Sequence, residues 1–161
     1  MKRQEFNIII AGYGGQGILT LAEIISRAAF LHGFEVRETE LHGLAQRGGS
    51  LNCHVRFGKK IYSPLVMKGD ADLIIALEAI EALKSCYWAS EKTTFLINSK
   101  IFGMNYNLEK IIKIIKKVTP KVHLINADSI VEKATQDITE TNIYMLGYAL
   151  KRGLLPLKKE L

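Results

Sequence analysis

Gly12-Tyr13-Gly14-Gly15-Gln16-Gly17 carries the spacing G-x-G-x-x-G between an apolar run, Phe6–Ala11, and a stretch of helical periodicity, Gly17–His32. In that setting Gly12 permits a tight turn, Gly14 lets backbone N–H groups approach a phosphate, and Gly17 lets helix and strand pack closely. A helix starting there presents unpaired donors and the positive end of its dipole to an anion. Glu38 and Glu40 follow about 20 residues later, where a dinucleotide site holds its ribose-binding acid. Gln16 departs from the small or apolar residue usual in such sites and adds an amide at the helix start. The loop therefore reads as a phosphate or cofactor contact, with Gly12, Gly14, Gly15, Gln16 and Gly17 as candidates. The motif does not name the ligand. A stand-alone NAD(P)- or FAD-binding module and a plain tight βα turn both stay open.

A second group follows, His42-Gly43-Leu44-Ala45-Gln46-Arg47-Gly48-Gly49-Ser50. Its glycines permit backbone conformations closed to other residues. Between them stand an imidazole, an amide and a guanidinium, groups that hold anions or orient a substrate. The segment leaves the second strand and so emerges at the same carboxyl edge of the sheet as the glycine loop. Gln46, Arg47, Gly48, Gly49 and Ser50 join the cofactor-binding candidates, and His42 faces a partner or an active site.

Other chemistry is poorly supported. His32, His42, His54 and His123 lack metal-ligand spacing, so no metal site is expected. Cys53 and His54 are adjacent in a strand and point to opposite faces, a poor nucleophile–base pair. Cys86 reads as an ordinary helical thiol. Asp70 and Asp72 read as a polar entry into a strand. There is no nucleophile elbow and no phosphate-loop lysine motif.

These residues need elements to hold them. Phe6–Ala11, Phe34–Leu41, Leu73–Leu77, Thr94–Asn98 and Val122–Asn126 read as strands, three of them continuous apolar runs of the kind buried on both faces of a parallel sheet. Gly17–His32 (with Leu21, Ile24, Ile25 and Ala28 inward), Glu78–Tyr87, Asn107–Val118, Ser129–Thr135 and Thr141–Arg152 read as helices. The order predicts an α/β fold: three layers, a mostly parallel sheet with helices on both faces, Rossmann-like, as one domain over residues 1–161. Ser50–Phe57 breaks the rhythm. Leu51, Cys53, Val55 and Phe57 alternate with Asn52, His54 and Arg56, the pattern of a half-buried strand. Gly58-Lys59-Lys60 then turns toward Ile61-Tyr62-Ser63, predicting an inserted hairpin. Its polar face either meets water at a sheet edge or is covered by something outside this chain, which makes His54 and Arg56 partner-facing candidates.

Composition sets the outer limits. With 161 residues, 48% of them hydrophobic, the chain suffices for one core, and its two cysteines cannot supply the four ligands of an iron–sulfur cluster. The formal charge is +6, and residues 81–161 hold 13 basic against 8 acidic side chains. Lys110, Lys113, Lys116, Lys117 and Lys121 interleave with Leu108, Ile111, Ile112, Ile115 and Val118, which reads as the solvated face of an amphipathic helix. No aromatic–basic motif points to nucleic acid. No apolar stretch approaches a membrane span, and the opening apolar run stops too soon for a signal-peptide core. The expectation is a cytoplasmic chain.

Four motifs in order carry a resemblance. Gly12-Tyr13-Gly14-Gly15-Gln16-Gly17-Ile18-Leu19 is followed by His42-Gly43-Leu44-Ala45-Gln46-Arg47-Gly48-Gly49-Ser50. Next come His54-Val55-Arg56-Phe57-Gly58 with Tyr62-Ser63-Pro64-Leu65, and Gly69-Asp70-Ala71-Asp72-Leu73 with Ala76-Leu77-Glu78. Together they resemble the small subunit of 2-oxoacid:ferredoxin oxidoreductases, and the form of the His42–Gly49 motif is most similar to the beta subunit of indolepyruvate ferredoxin oxidoreductase. The resemblance continues through Asn142, Leu146-Gly147 and Gly153-Leu154-Leu155-Pro156-Leu157.

It implies a gamma-type domain of the pyruvate ferredoxin oxidoreductase class, working as one piece of a hetero-oligomer. The complex decarboxylates a 2-oxoacid on thiamine diphosphate, passes electrons through iron–sulfur clusters to ferredoxin and releases an acyl-CoA. Thiamine and clusters are then expected on a large alpha subunit and no cofactor on this chain alone, apart from contact with coenzyme A. The amides of Gly14–Gly17 and the Gln46–Ser50 segment with Arg47 suit its phosphates. Members of the family usually continue past Leu-Pro-Leu with a further helix, whereas this sequence ends at Leu161, which bears on the completeness of the subunit interface. A structural paralogue that contributes no site residue is the remaining alternative.

Overall fold

The computed structural model describes residues 5–42, 49–103 and 106–157. Six strands form one sheet: β1 (Glu5–Tyr13), β2 (Glu35–His42), β3 (Ser50–Gly58), β4 (Leu73–Ala76), β5 (Thr94–Asn98) and β6 (Val122–Ile125). Their spatial order is β2-β3-β1-β4-β5-β6. β1, β4, β5 and β6 are parallel, while β3 runs antiparallel to both of its neighbours, β1 and β2. Helices α1 (Ile18–Leu31), α2 (Ala79–Lys84) and α3 (Leu108–Val118) connect strands, with a 3₁₀ turn at Ser85–Trp88, and α4 (Ala127–Thr135) and α5 (Thr141–Lys151) follow β6. The α/β architecture with helices on both faces is the one the sequence predicts.

Strand alternation divides the core in two. Ile8, Ile10, Leu73, Ile75 and Leu96 point to the face covered by α1 and α5, packing on Leu21, Ile25 and Met145. Ile9, Ala11, Ile74, Phe95 and Ile97 point to the other face and pack on Ala79, Ile111 and Ile115 of α2 and α3. Central strands buried on both sides need apolar residues at every position, which is why β1 reads Ile-Ile-Ile-Ala and β4 Leu-Ile-Ile-Ala. Asn107 caps α3 by accepting the Lys110 N–H at 3.0 Å, and the helix turns its lysines outward, as its pattern requires. In α1 the buried positions are Ile18, Leu21, Ala22, Ile25 and Ala29; Ile24, expected inward, is 37% exposed.

The hairpin differs from expectation in its partner. β3 pairs with β2 and β1, not with residues 61–63, which form no strand. β3 is therefore interior to the sheet and β2 is the edge. The chain itself covers the polar face of β3. Arg56 donates from Nε to Asn7 Oδ1 (2.9 Å), from Nη1 to the carbonyls of Ser63 (2.8 Å) and Leu65 (3.2 Å), and from Nη2 to Glu5 (3.0 Å). His54 Nδ1 accepts the Val66 N–H at 3.0 Å. Asn7 extends the network to Asp70 and Asp72. One guanidinium thus pins residues 63–66 across the sheet. Arg56 and His54 are buried against this strap, which corrects the expectation that they face a partner or an active site.

Candidate functional site

The glycine loop stands at the carboxyl end of β1, where open α/β sheets bind ligands. Gly17 starts α1 in the left-handed region (φ 74°), and a Cβ there would lie 2.2 Å from Asn142 Nδ2. Asn142 donates from that nitrogen to the Gly17 carbonyl at 3.1 Å, tying α5 to the loop. Gly12 is needed for another reason. A Cβ on it would meet Gln16 Oε1 at 2.5 Å and Ile18 Cδ1 at 2.9 Å. The Gln16 carbonyl oxygen folds back to accept the Tyr13 N–H at 2.7 Å, while the Gln16 N–H donates to the Tyr13 carbonyl at 3.1 Å. The Gly14 N–H is also engaged, donating to Gly49 O at 3.1 Å. Three N–H donors of the loop, those of Tyr13, Gly14 and Gln16, are therefore already engaged within the protein. Among the described residues no side chain caps the start of α1, and no acid lies in its first turn.

Beside the loop is a cavity of about 320 Å³, bordered by Gly14, Gly15, Gln16, Lys100, Asp128 and Thr139. Lys100 Nζ lies 2.9 Å from Asp128 and 5.0 Å from the ring centre of Phe102. Asn98, at the end of β5, donates to Asp128 at 2.8 Å and accepts the Ala127 N–H at 3.0 Å, fixing the start of α4. The site thus holds the glycine-loop backbone and the Lys100 cation beside the Asp128 carboxylate that pairs with it, while the Thr139 hydroxyl donates to Asp137 at 2.8 Å. Its volume is at the small end of the roughly 300–1,000 Å³ range of ligand pockets. Of these groups the glycine loop and Lys100 suit an oxyanion such as a phosphate, and the Asp128 carboxylate opposes one.

A second cluster anchors the far end of the 43–49 segment. Glu81 on α2 is fully buried; it accepts the Ser50 hydroxyl and pairs with Lys84 at 2.6 Å. Lys84 Nζ also lies 5.9 Å from the ring centre of Tyr13. Glu78 accepts the N–H of Glu81 (2.9 Å) and of Phe102 (3.0 Å), and burial raises its carboxyl above the usual range against the pull of those donors. Gly49 and Ser50 are consequently held from two sides, by the glycine loop and by α2.

The fold brings Gly12–Gly17 together with Gly49 and Ser50, as the order of motifs implies. Gln46, Arg47 and Gly48 lie outside the described residues; His42 ends β2 opposite Leu51, and its side chain lies outside them too. Glu38 and Glu40 do not serve the loop. β3 separates β2 from β1, and Glu38 stands level with Ile8 through Val55. It is four residues short of Gly12, about 13 Å along the strand, and about 10 Å to the side. It is also bonded to Ser26 of α1. The ribose-binding acid of a dinucleotide site is therefore missing at the expected place. Burial, then Glu40 and Glu38, push the Cys53 thiol up to about 12, which keeps it protonated. Sequence reading missed Glu81, Lys84, Lys100, Asp128 and Thr139. Isolated charged and hydroxyl residues on two helices and two loops carry no spacing signal; only Glu78 stood in a quoted motif.

Comparison with known proteins adds an independent line. A family model described as pyruvate ferredoxin/flavodoxin oxidoreductase matches residues 7–161. The indolepyruvate oxidoreductase subunit IorB of Archaeoglobus fulgidus is 41% identical over 150 residues, 88% of this chain and 74% of that one. Its namesake from Pyrococcus horikoshii is 34% identical over 98% of this chain and 82% of its own length. Among solved structures, the pyruvate oxidoreductase subunit PORC of Thermotoga maritima superposes with a TM-score of 0.69 at 19% identity, covering 96% of this chain and 80% of that one. The 2-oxoglutarate:ferredoxin oxidoreductase of Magnetococcus marinus, with 2-oxoglutarate, coenzyme A and succinyl-CoA bound, gives 0.69 at 20% identity, covering 92% of this chain and 24% of that one. At these identities the structural likeness speaks to the fold alone.

Proposed function

The chain belongs to the pyruvate ferredoxin/flavodoxin oxidoreductase family, and we propose that it is the small subunit of a 2-oxoacid:ferredoxin oxidoreductase whose substrate is indolepyruvate. The observation that carries this reading is the 41% identity with an indolepyruvate oxidoreductase subunit across 88% of the chain. In the complex, thiamine diphosphate and the iron–sulfur clusters sit on a large partner subunit, and electrons leave through it to ferredoxin. The enzyme works in the cytoplasm, and this chain alone is inactive.

Its own contribution is to coenzyme A. The glycine loop and Lys100 offer donors to a phosphate at the mouth of the cavity, and the family resemblance assigns Arg47 as a bidentate cation for the same ligand. Glu81 and the glycine loop fix Gly49-Ser50 and so set where that segment re-enters the sheet. The stand-alone dinucleotide module loses its main support with Glu38 and Glu40 displaced from the loop.

The test is reconstitution. Co-expression with the large thiamine-binding subunit should give indolepyruvate- and coenzyme A-dependent ferredoxin reduction that neither chain shows alone. Arg47→Ala should raise the KM for coenzyme A with the assembly intact. Full activity of the large subunit in the absence of this chain would refute the reading.

A further inference from the structure

We propose that the outer face of α5 is a twofold contact between two copies of this chain. The first observation is Gly147. It sits in the middle of α5, where glycine is the least favourable residue after proline. Among the described residues a Cβ at this position would meet nothing within 4 Å, and its φ is not positive, so neither packing against them nor backbone conformation asks for glycine. What remains is an outside surface that must come close to the helix.

The second observation is what surrounds it. Gly147 lies in a groove of about 510 Å³ with Tyr144, Tyr148, Lys151 and Arg152. Tyr144 continues into an apolar groove of about 270 Å³ shared with Ile130 of α4, Glu140 and Ile143. Ile130 is 44% and Ile143 43% exposed, unusual for isoleucines on one contiguous strip. Tyr148 is fixed in place, its hydroxyl 3.4 Å from His123 Nδ1 and its ring 5.4 Å from the Arg152 guanidinium carbon.

The third observation selects the occupant. The groove is lined along the helix by Glu140, Ile143, Tyr144, Gly147, Tyr148 and Lys151, with Arg152 just beyond it; Tyr144 and Tyr148 are half-buried, each also packed on the core beneath. Two such helices packed antiparallel about a twofold axis pair residues whose numbers share one sum. With the axis midway between Tyr144 and Gly147, three complementary pairs form. Tyr144 faces Gly147 of the second copy, a ring opposite a missing side chain. Ile143 faces Tyr148, apolar on apolar. Glu140 faces Lys151, acid on base, at both ends. An isologous interface requires a patch complementary to itself, and this strip is. A heterologous partner would have to match the same steps of size and charge from an unrelated sequence. The contact is independent of the reading of the glycine loop, and a failure here leaves that reading standing.

The experiment is sedimentation velocity on the purified full chain over a concentration series. A reversible monomer–dimer equilibrium is expected. Gly147→Leu fills the space that Tyr144 of the second copy enters and should weaken the dimer roughly tenfold or more. Because no described residue would contact a Cβ at that position, the same variant should melt at the wild-type temperature or above, so loss of the dimer will not reflect misfolding. Glu140→Lys and Lys151→Glu should each weaken the dimer, and the double exchange should restore it. A chain that stays monomeric throughout, or a dimer indifferent to Gly147→Leu and to the charge exchange, would overturn the proposal.

Discussion

The Asn142 carboxamide reaches across 125 residues of sequence to donate to the Gly17 carbonyl at 3.1 Å, and it fills the space a side chain on Gly17 would need. The start of α1 is therefore set by a residue of α5 as much as by its own glycine. Gly17→Ala combines two penalties: a left-handed conformation costing about 1–2 kcal/mol without glycine and a displaced Asn142 costing about 1 kcal/mol for its hydrogen bond. A loss of about 2–3 kcal/mol is expected in urea unfolding. Asn142→Ala should lose only the smaller part and should partly relieve Gly17→Ala in the double variant, a non-additivity that a double-mutant cycle reads directly.

Arg56 supplies the second expectation. Its four hydrogen bonds reach Glu5 and Asn7 of β1 and two carbonyls of the strap at once. Arg56→Met leaves Asn7 Oδ1 and two strap carbonyls without their donor. Breaking a buried charged network of this kind costs about 3–5 kcal/mol. Limited proteolysis should show new cleavage between residues 59 and 68, the stretch that Arg56 holds down. If Arg56→Met unfolds only globally, with no earlier release of that stretch, the strap is not the element it secures.

Much of this was readable beforehand, for physical reasons that differ by region. β1, β4 and β5 are continuous apolar runs because both their faces are covered, and α3 shows its buried stripe in its periodicity. The glycine loop was readable because its constraints are steric and local. The strap was not. Whether Arg56 meets solvent, a partner or its own chain depends on where residues 63–66 return, and alternation within β3 reports only which face is polar. The dinucleotide alternative failed for a similar reason: counting residues from the glycine loop to Glu38 cannot reveal that β3 intervenes. The Glu81–Ser50 anchor joins two elements 31 residues apart and left no local trace at all.

His54 predicts acid sensitivity. Burial, with help from the Arg56 charge, lowers its pKa from 6.5 to about 4, and Nδ1 is kept as an acceptor by the Val66 N–H. The ring is therefore neutral with its proton on Nε2, stacked edge-on to Trp88 at 5.1 Å. With a folded pKa below the unfolded one, the unfolded chain binds the proton first as pH falls. The contribution is fully present above pH 6.5 and is lost progressively down to about pH 4. The loss from this residue is about 3 kcal/mol. His54→Gln offers Val66 a neutral acceptor and should flatten that part of the stability–pH curve. An unchanged slope would place the titration elsewhere.

Gln16 separates the loop's structural work from its ligand chemistry. Its Oε1 holds the Tyr13 N–H, and the residue borders the cavity. Gln16→Ala removes the acceptor and should cost about 1 kcal/mol of stability. Gln16→Glu keeps an acceptor for Tyr13 but sets a negative charge at the cavity mouth. If the phosphates of coenzyme A bind there, repulsion should raise the KM for coenzyme A in the assembled enzyme by roughly tenfold, about 1.4 kcal/mol, with the melting temperature close to wild type. The charge should act on coenzyme A and spare the 2-oxoacid, whose KM should not move. Equal effects on both substrates would mean that Gln16→Glu disturbs assembly, and no effect on either would mean that the anion binds away from the glycine loop.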